Sequence, residues 1–211
     1  MAKYVEHRLL IGCSVIHLVN DGSEVIIAAM LPLIQREFLL NYYQIGVLLA
    51  ANLVILTLFQ IVFGYLSERF SEKILLSIGM SIVMVSSFLI SQSITFTELF
   101  IFNCMFGIGA SVFHPTNFTL VSRVYEGNVH RDKVMGVVAG TGDLGVLIAF
   151  FSTGFIGEFF GWRFPFLIWS ILAAFAITIH LWLSRSSLAS CSKITPLNNS
   201  LETQSDGPQR Y

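Results

Sequence analysis

Charged side chains are scarce in this sequence. Asp, Glu, Lys and Arg make up only 12% of the 211 residues, whereas 55% of the residues are hydrophobic. The mean hydropathy is +0.74. So few polar groups cannot cover a water-soluble globule of this length, and the composition therefore predicts an integral membrane protein. The near-neutral net charge of −1 carries no information about nucleic acid. No basic patch with interleaved aromatic residues occurs, so we expect no nucleic-acid partner.

Cysteine and enzyme motifs are scarce as well. Cys13 and Cys104 lie inside apolar runs and Cys191 lies in a polar tail, so this odd number gives neither a disulfide framework nor a metal spacing. We expect three free thiols. No His-Glu-x-x-His signature and no serine or cysteine nucleophile motif occurs, which disfavours an intramembrane hydrolase. The glycine-rich stretch 140–145 follows no strand, so it is not a nucleotide-binding loop. We therefore predict a protein that is not an enzyme and has no cofactor or metal.

Six long apolar runs dominate the sequence, and each holds about the 20 residues that a helix needs to cross a bilayer. They occupy residues 9–34, 44–66, 74–94, 97 to the start of a charged segment at 123–133, 134–157 and 164–183. We expect no secretory signal, because a signal peptide needs a longer apolar region before its cleavage site. Only four uncharged residues separate Arg8 from Cys13. We predict an all-α membrane protein with an N-terminal segment at 1–8, a six-helix domain at 9–184 and a disordered tail at 185–211.

The distribution of Lys and Arg predicts the orientation of the chain. With a cytoplasmic N-terminus, ten Lys and Arg residues lie in inside segments and only two, Arg36 and Arg163, lie in outside segments. Positive residues accumulate on the cytoplasmic side of membrane proteins. We therefore expect a multi-pass protein of the plasma (inner) membrane with both termini in the cytoplasm.

The first predicted helix carries several polar side chains. His17, Asp21 and Glu24 are spaced i, i+4 and i+7, which places them on one helix face with Asn20 at its edge. An acidic side chain at the centre of a membrane helix costs about 2.5 to 3.5 kcal/mol, so this face is expected to line a wet cavity or to meet a partner. A purely structural pair of Asp21 and Glu24 is the alternative. The helix is expected to end near Pro32.

The fourth helix repeats this pattern more weakly. Polar and small residues follow steps of three and four: Asn103, Gly107, Ala110, His114 and Asn117. Pro115 removes one backbone hydrogen bond, so it is predicted to bend the helix and to free a carbonyl near His114. His114 is interpreted either as a proton carrier or as a histidine that is hydrogen-bonded between helices.

The fifth helix is rich in glycine and carries Asp143. This acid has two interpretations, a functional intramembrane carboxylate or the cap of an irregular turn within 140–145. The glycines predict close helix packing first and flexing during transport second; they are Gly136, Gly140, Gly142, Gly145, Gly154 and Gly157. Trp162, Trp169 and Trp182 lie near predicted helix ends and are interpreted as interfacial anchors.

A short charged turn at 64–73 joins the second and third helices. Gly64 lets two backbones come close, Ser71 is predicted to cap the next helix, and Glu72 places negative charge near its positive end. The turn resembles the loop between helices two and three of the major facilitator superfamily, which reads G-x-L-x-D-R-x-G-R-K. The matching positions are Gly64, Leu66, Arg69 and Lys73, with Glu68 in place of the aspartate. Glu72 departs from the pattern, which has a basic residue there. The resemblance implies a gating loop built on Gly64, Glu68, Arg69 and Lys73.

Further strings are similar to the fosmidomycin-resistance-type branch of this superfamily, over about residues 12–184. They are His-Leu-Val-Asn-Asp at 17–21, Leu-Pro-Leu at 31–33, Gln-Ile-Gly at 44–46, Gly-Ile-Gly-Ala-Ser-Val-Phe-His-Pro at 107–115 and Gly-Trp-Arg-Phe at 161–164. The resemblance implies one half of a transporter, built from two inverted three-helix repeats in which helices one and four are equivalent. It also implies a proton antiporter that exports small molecules, with Asp21 as the leading protonation site.

The candidate site follows from both arguments. The residues expected to couple protons or bind substrate are Asp21, Glu24, His17, Asn20, His114, Asn117 and Asp143. The family has twelve helices, whereas this sequence predicts six. We expect membrane lipid, a small-molecule substrate, protons and a second six-helix unit as partners. That unit would be a second copy or a separate chain. A non-transporting fragment or an interaction subunit is the alternative.

Overall fold

The computed structural model describes residues 2–127 and 129–191, with side chains described at 8–127 and 129–184. In this part of the chain all regular structure is helical, as predicted. The helices are α1 (Ala2–Glu24), α2 (Ile26–Phe38), α3 (Tyr42–Arg69), α4 (Glu72–Gln92), α5 (Phe96–Ala110), α6 (Phe113–Val124), α7 (Arg131–Phe160) and α8 (Arg163–Cys191). Helix α8 continues past residue 184, where the tail was expected to begin. The remainder of that predicted disordered tail, 192–211, lies outside the described residues.

Six stretches of these helices are long and apolar enough to cross a membrane, which confirms the predicted number of spans. We call them span one to span six: Arg8–Phe38, Tyr42–Arg69, Glu72–Gln92, Phe96–Val124, Arg131–Phe160 and Arg163–Ser184. Span one therefore continues well beyond its expected end. Pro32 lies inside α2, and the helix ends only at Leu39, which adopts a left-handed conformation with φ 51°. The expected end was wrong because a membrane helix tolerates proline when its surroundings satisfy the freed backbone group.

Spans one and four are each interrupted. Span one breaks at Val25, between α1 and α2, and span four breaks between α5 and α6. The second interruption lies one turn before Pro115. Because a proline has no N–H, the carbonyl of Ser111 loses the partner that an unbroken helix would give it. The irregularity predicted from Pro115 is thus present, although it lies before the proline.

Packing between the spans has an internal symmetry. Span one packs against spans five and six, whereas span four packs against spans two and three, and spans three and six pack against each other. Exchanging one with four, two with five and three with six reproduces these contacts. This is the pattern of two repeats of three helices. The main core cluster is built largely from spans one, three, four and six, and Ile16, Met80 and Leu99 are fully buried in it.

Polar contacts join the connections at one end of the bundle. The carboxylate of Glu37, at the end of α2, accepts hydrogen bonds from Trp162 Nε1 and Arg163 Nη1, both at 2.6 Å. Arg163 also donates to the carbonyl of Ser93, at 2.8 Å. Trp162 is therefore buried, and its hydrogen bond links the end of α2 to the start of α8. The interpretation of this residue as an interfacial anchor was wrong because only the fold brings Glu37 to it.

Candidate functional site

The polar face of α1 meets α7 inside the bundle. His17 is buried, and its Nδ1 lies 2.8 Å from the carbonyl oxygen of Val138. A carbonyl only accepts hydrogen bonds, so Nδ1 must carry a hydrogen. The other ring nitrogen, Nε2, then faces Asp21 Oδ2 at 3.1 Å. Two lone pairs at this distance would repel each other, so the histidine and the carboxylate are arranged to share one proton.

Asn20 connects two carboxylates on the same face. Its amide nitrogen donates to Asp21 Oδ1 at 3.1 Å and to Glu24 Oε1 at 2.9 Å. An amide nitrogen carries two hydrogens, so both bonds form together. Asn20 is fully buried, whereas Asp21 and Glu24 remain partly accessible. Asn20, Asp21 and Glu24 therefore form one hydrogen-bonded unit on the face of α1 that their spacing predicted.

Two glycines of α7 make room for this face of α1. A Cβ at Gly142 would overlap the carboxylate of Asp21, and a Cβ at Gly145 would overlap the backbone carbonyl of Leu18. The predicted close packing is therefore present at these positions. Among the described residues it is absent at three others, where a Cβ would meet no atom within 4 Å: Gly136, Gly140 and Gly154. These three are exposed on α7, so the packing interpretation is wrong for them within this six-helix unit.

His114 brings span four to the same place. Its ring, on α6, lies edge-on to that of His17 with 5.5 Å between the centroids, and it stacks on Phe118 at 6.5 Å. The nitrogen and oxygen atoms of His17, Asp21 and His114 that can bind a cation all lie within 4.8 Å of one another. Such a group could hold a proton or another small cation. The prediction of a metal-free site is not tested by this geometry.

The two asparagines of span four differ in their surroundings. Asn103 is tied to α3: its Nδ2 donates to the carbonyl of Leu48 at 3.0 Å, and its own carbonyl accepts from Asn52 at 2.8 Å. It therefore fastens spans two and four and does not belong to the His17 cluster. Asn117 is fully buried in α6, and its side-chain amide makes no hydrogen bond within the described residues.

Asp143 lies apart from the buried cluster. It is exposed on α7 and makes no hydrogen bond or ion pair with the described side chains. Helix α7 continues without interruption through residues 140–145. The interpretation of Asp143 as the cap of an irregular turn was therefore wrong, since the helix has no turn there to cap.

The charged turn at 64–73 is shorter than expected, because α3 continues to Arg69 and α4 already begins at Glu72. Ser71 occupies the N-cap position, but its side chain makes no capping hydrogen bond. Glu72 instead forms an ion pair with Arg123 at the end of α6, with 2.5 Å between Oε1 and Nη1. This ion pair could not be predicted from local sequence spacing, because Glu72 and Arg123 are 51 residues apart.

The four predicted gating-loop residues have different surroundings. Glu68 is exposed, Lys73 is partly buried, and the guanidinium of Arg69 lies over the ring of Tyr65 at 4.5 Å. A Cβ at Gly64 would lie 3.7 Å from the Cβ of Pro115, an ordinary contact between spans two and four. The gating role of these residues remains a prediction.

Fold and site together define a class of protein. Six membrane spans arranged as two three-helix repeats surround a buried histidine, a carboxylate and an amide, and the spans that carry these groups are the interrupted ones. Interrupted helices with polar groups between internal repeats are typical of secondary transporters.

Comparison with known proteins identifies the family. The family model of the Major Facilitator Superfamily matches residues 13–199, and the chain belongs to this superfamily. The fosmidomycin resistance protein of Escherichia coli (strain K12) is 32% identical over 122 residues, which cover 58% of this chain and 30% of that protein. The riboflavin transporter of Clostridioides difficile (strain 630) is 29% identical over 148 residues, 70% of this chain and 32% of that protein. The family and these relatives are membrane transporters and not enzymes, as the sequence predicted.

Comparison with solved structures confirms the fold. A bacterial homolog of the human lysosomal transporter Spinster, in an inward-facing and unoccupied conformation, superimposes with a TM-score of 0.71 and 19% identity, covering 85% of this chain and 42% of that one. The chain thus spans about a third of the curated relatives that it matches and less than half of this transporter.

Proposed function

We propose that this chain forms one six-helix unit of a proton-coupled transporter that exports small molecules by alternating access. The observation that carries the proposal is the shared-proton geometry of His17 and Asp21. Val138 on another span holds Nδ1 of the histidine, and Nε2 faces the carboxylate of Asp21. A buried group that binds one proton in one arrangement of the spans can release it in another.

Movement of α1 against α7 would change this pair directly. His17 takes its orientation from the Val138 carbonyl of α7, whereas Asp21 lies on α1 itself. A shift between these helices would break the bond to Val138 and free the ring to turn. His114 on span four then provides a second acceptor for the proton. Spans one and four are already interrupted, so they can bend at these places without breaking many backbone hydrogen bonds.

The accessible carboxylates would face the substrate. Asn20 keeps Glu24 beside Asp21 at 2.9 Å from its own amide nitrogen, so protonation of Asp21 would change the charge that a bound molecule meets. Asn117, buried on α6, and Asp143, exposed on α7 apart from the His17 cluster, are proposed as further polar positions along the transport pathway. The fosmidomycin resistance protein and the riboflavin transporter suggest a first panel of substrates.

A second six-helix unit would complete the transport pathway. In the apolar stretch of span two only 6% of the residues are buried inside the protein, whereas 50% are buried in that of span four. Large side chains such as Leu53, Leu58 and Ile61 are more than half exposed on this span. Major facilitator sites lie between two six-helix units near the bilayer midplane. We propose a second copy or a separate chain as that unit, with both termini in the cytoplasm and the turn at 64–73 as a gate on that side of the plasma membrane.

Proton-linked flux in liposomes tests the proposal. The purified chain, with any unit that co-purifies, is sealed into vesicles that contain a pH-sensitive dye, and fosmidomycin, riboflavin or another small molecule is added outside. We expect one of these compounds to change the internal pH, and we expect Asp21→Asn to abolish the change. Glu158→Gln is the matched control, because it removes one exposed carboxylate from α7 outside the cluster. Undiminished flux in the Asp21 variant would remove this residue from the mechanism.

The mass of the protein in mild detergent provides a separate test of assembly. A mass near twice the 23.5 kDa of one chain, or of one chain with a six-helix partner, is expected. An isolated chain that carries no proton-linked flux would favour the alternative of a non-transporting fragment.

A further inference from the structure

Three side chains from two spans bring cation-binding atoms together. His17 and Asp21 lie on α1, and His114 lies on α6. Their ligand atoms are two imidazole nitrogens and one carboxylate oxygen, and all three lie within 4.8 Å of one another. Proteins use imidazole and carboxylate ligands together for Zn²⁺ and other divalent transition metals. The group that is proposed to share a proton is therefore also suited to a metal ion.

The orientation of His17 directs the correct atom at an ion. Its Nδ1 donates to the carbonyl of Val138 at 2.8 Å, so the lone pair of the neutral ring lies on Nε2. A histidine that binds a metal almost always donates its other ring N–H to such a group, which fixes the tautomer and the ring orientation. His17 thus has the orientation of a metal ligand.

Asp21 is oriented by a neighbour as well. Asn20 donates to its Oδ1 at 3.1 Å, whereas Oδ2 is the oxygen that lies 3.1 Å from His17 Nε2. Carboxylates that bind metals are themselves hydrogen-bonded in this way. One oxygen of Asp21 is therefore fixed by an amide, and the other is directed at the histidine lone pair.

The distances fit a tetrahedral ion after a small movement. Zn²⁺ lies about 2.0 to 2.2 Å from nitrogen and oxygen ligands, so two ligands of a tetrahedral ion are about 3.4 Å apart. The 3.1 Å between His17 Nε2 and Asp21 Oδ2 is close to this value. The ligand atom of His114, within 4.8 Å of the other two, has to approach by about 1.4 Å at most. A change of its side-chain torsions is sufficient for this.

Access and charge also favour a divalent ion. Asp21 and His114 both remain partly accessible, so an ion can enter while the bundle stays folded. Asn20 holds the carboxylate of Glu24 beside that of Asp21, which adds negative charge next to the three ligands. Mg²⁺ and Ca²⁺ prefer oxygen ligands, whereas two of the three ligands here are imidazoles. The site therefore selects a transition metal.

We propose that His17, Asp21 and His114 form a binding site for a divalent transition-metal ion of the Zn²⁺ type, with the fourth position open to water. The sequence predicted no metal because it contains no compact metal spacing, whereas these ligands come from two spans that are distant in the sequence. A bound ion would occupy the lone pairs that hold the shared proton, and it is expected to inhibit transport. This inhibition rests on the proposed function, whereas the binding does not.

The absorption spectrum of Co²⁺ tests the binding. Co²⁺ can replace Zn²⁺ in such sites, and its visible absorption becomes stronger when tetrahedral ligands replace octahedral water. The chain is purified in mild detergent without a histidine tag, with any unit that co-purifies, and is titrated with Co²⁺. We expect a saturable absorption band that Zn²⁺ removes and that Mg²⁺ leaves unchanged.

A pair of histidine variants tests the ligands. His114→Gln should weaken Co²⁺ binding by about 100-fold or more, since loss of an outer-shell partner alone costs about 10- to 100-fold in metal affinity. His130→Gln is the matched control, because it removes an exposed imidazole at the N-cap of α7. A measurement on the unmodified protein does not depend on the folding of a variant: Zn²⁺ should raise its apparent Tm, and Mg²⁺ should not.

The proposal would be overturned by the absence of a saturable Co²⁺ band, or by equal Co²⁺ affinity of the His114→Gln and His130→Gln variants. In the vesicle assay, saturating Zn²⁺ should abolish proton-linked flux, and flux that persists would overturn the inhibitory role. Binding in detergent requires no transport. Co²⁺ binding by a chain without flux would therefore refute only the proposed function, whereas flux without Co²⁺ binding would refute only the metal site.

Discussion

Replacing Gly145 by alanine perturbs the contact between α1 and α7 at its closest point. The added Cβ would overlap the backbone carbonyl of Leu18 and would lie 3.0 Å from the Leu18 Cα. These are backbone atoms, so no side-chain rotation can relieve the overlap. Carbon atoms prefer separations of about 3.5 to 4.0 Å, and the two helices must therefore move apart. Gly140→Ala is the matched control, because a Cβ there meets nothing within 4 Å.

The size of the effect follows from two opposing terms. Overpacking a filled helix contact costs about 1 to 3 kcal/mol, and a backbone clash belongs in the upper part of this range. Alanine recovers about 1 kcal/mol of helix propensity relative to glycine. We expect Gly145→Ala to lower the free energy of unfolding by about 1 to 2 kcal/mol net, which corresponds to about 2 to 8 °C in apparent Tm for a chain of this size. Gly140→Ala should be neutral or slightly stabilising.

The thiol of Cys13 can be used to measure the apparent Tm. Cys13 is fully buried on α1 and becomes reactive only when α1 separates from the bundle. In a background with Cys104→Ser and Cys191→Ser, a thiol-reactive dye followed during heating in mild detergent reports this separation. An apparent Tm for Gly145→Ala equal to that for Gly140→Ala would refute the assigned contact between the helices.

Three further substitutions test other contacts. Gly142→Ala should push the Asp21 carboxylate aside and abolish proton-linked flux in vesicles. The loss of apparent Tm should be smaller than for Gly145→Ala, and unchanged flux would contradict the site geometry. Glu72→Gln should lower the free energy of unfolding by about 1 kcal/mol or less, as expected for a partly exposed ion pair. The double variant Glu72→Arg with Arg123→Glu should restore the Tm measured with the thiol-reactive dye. Asn103→Leu should lower the free energy of unfolding by about 1 kcal/mol, because the carbonyl of Leu48 loses its side-chain donor while the bond from Asn52 to the backbone carbonyl of residue 103 remains, and a neutral result would show that this side chain contributes nothing.

Much of the architecture could be predicted from hydrophobic run lengths. A bilayer requires about 20 apolar residues per helix, and six such runs are readable without any tertiary information. The spacing of His17, Asp21 and Glu24 also placed them correctly on one face, because helical periodicity is local. Pro115 indicated an irregularity in the fourth helix, whereas the interruption of span one at Val25 was not predicted.

Other parts of the site could not be read in this way. The carbonyl of Val138 has no sequence signature, since every residue has one, yet it orients His17. Asn103 looked equivalent to Asn117 by spacing, but packing against α3 gave it a separate role. The interpretation of Trp169 as an interfacial anchor was also wrong, because the fold places its side chain inside the bundle. Trp169 is buried against Gly22, where an added Cβ would overlap its ring.

The sequence by itself determined the membrane setting, the number of spans, the superfamily resemblance and the acidic face of α1, because each depends on composition or on neighbours within one helix. Only the tertiary structure decided which glycines of α7 are contacts, which ion pair Glu72 makes, and that His114 meets His17. These depend on the rotation and depth of one helix relative to another. Apolar side chains on several faces of each helix are compatible with many such arrangements in lipid, and close backbone packing with satisfied polar groups selects one of them.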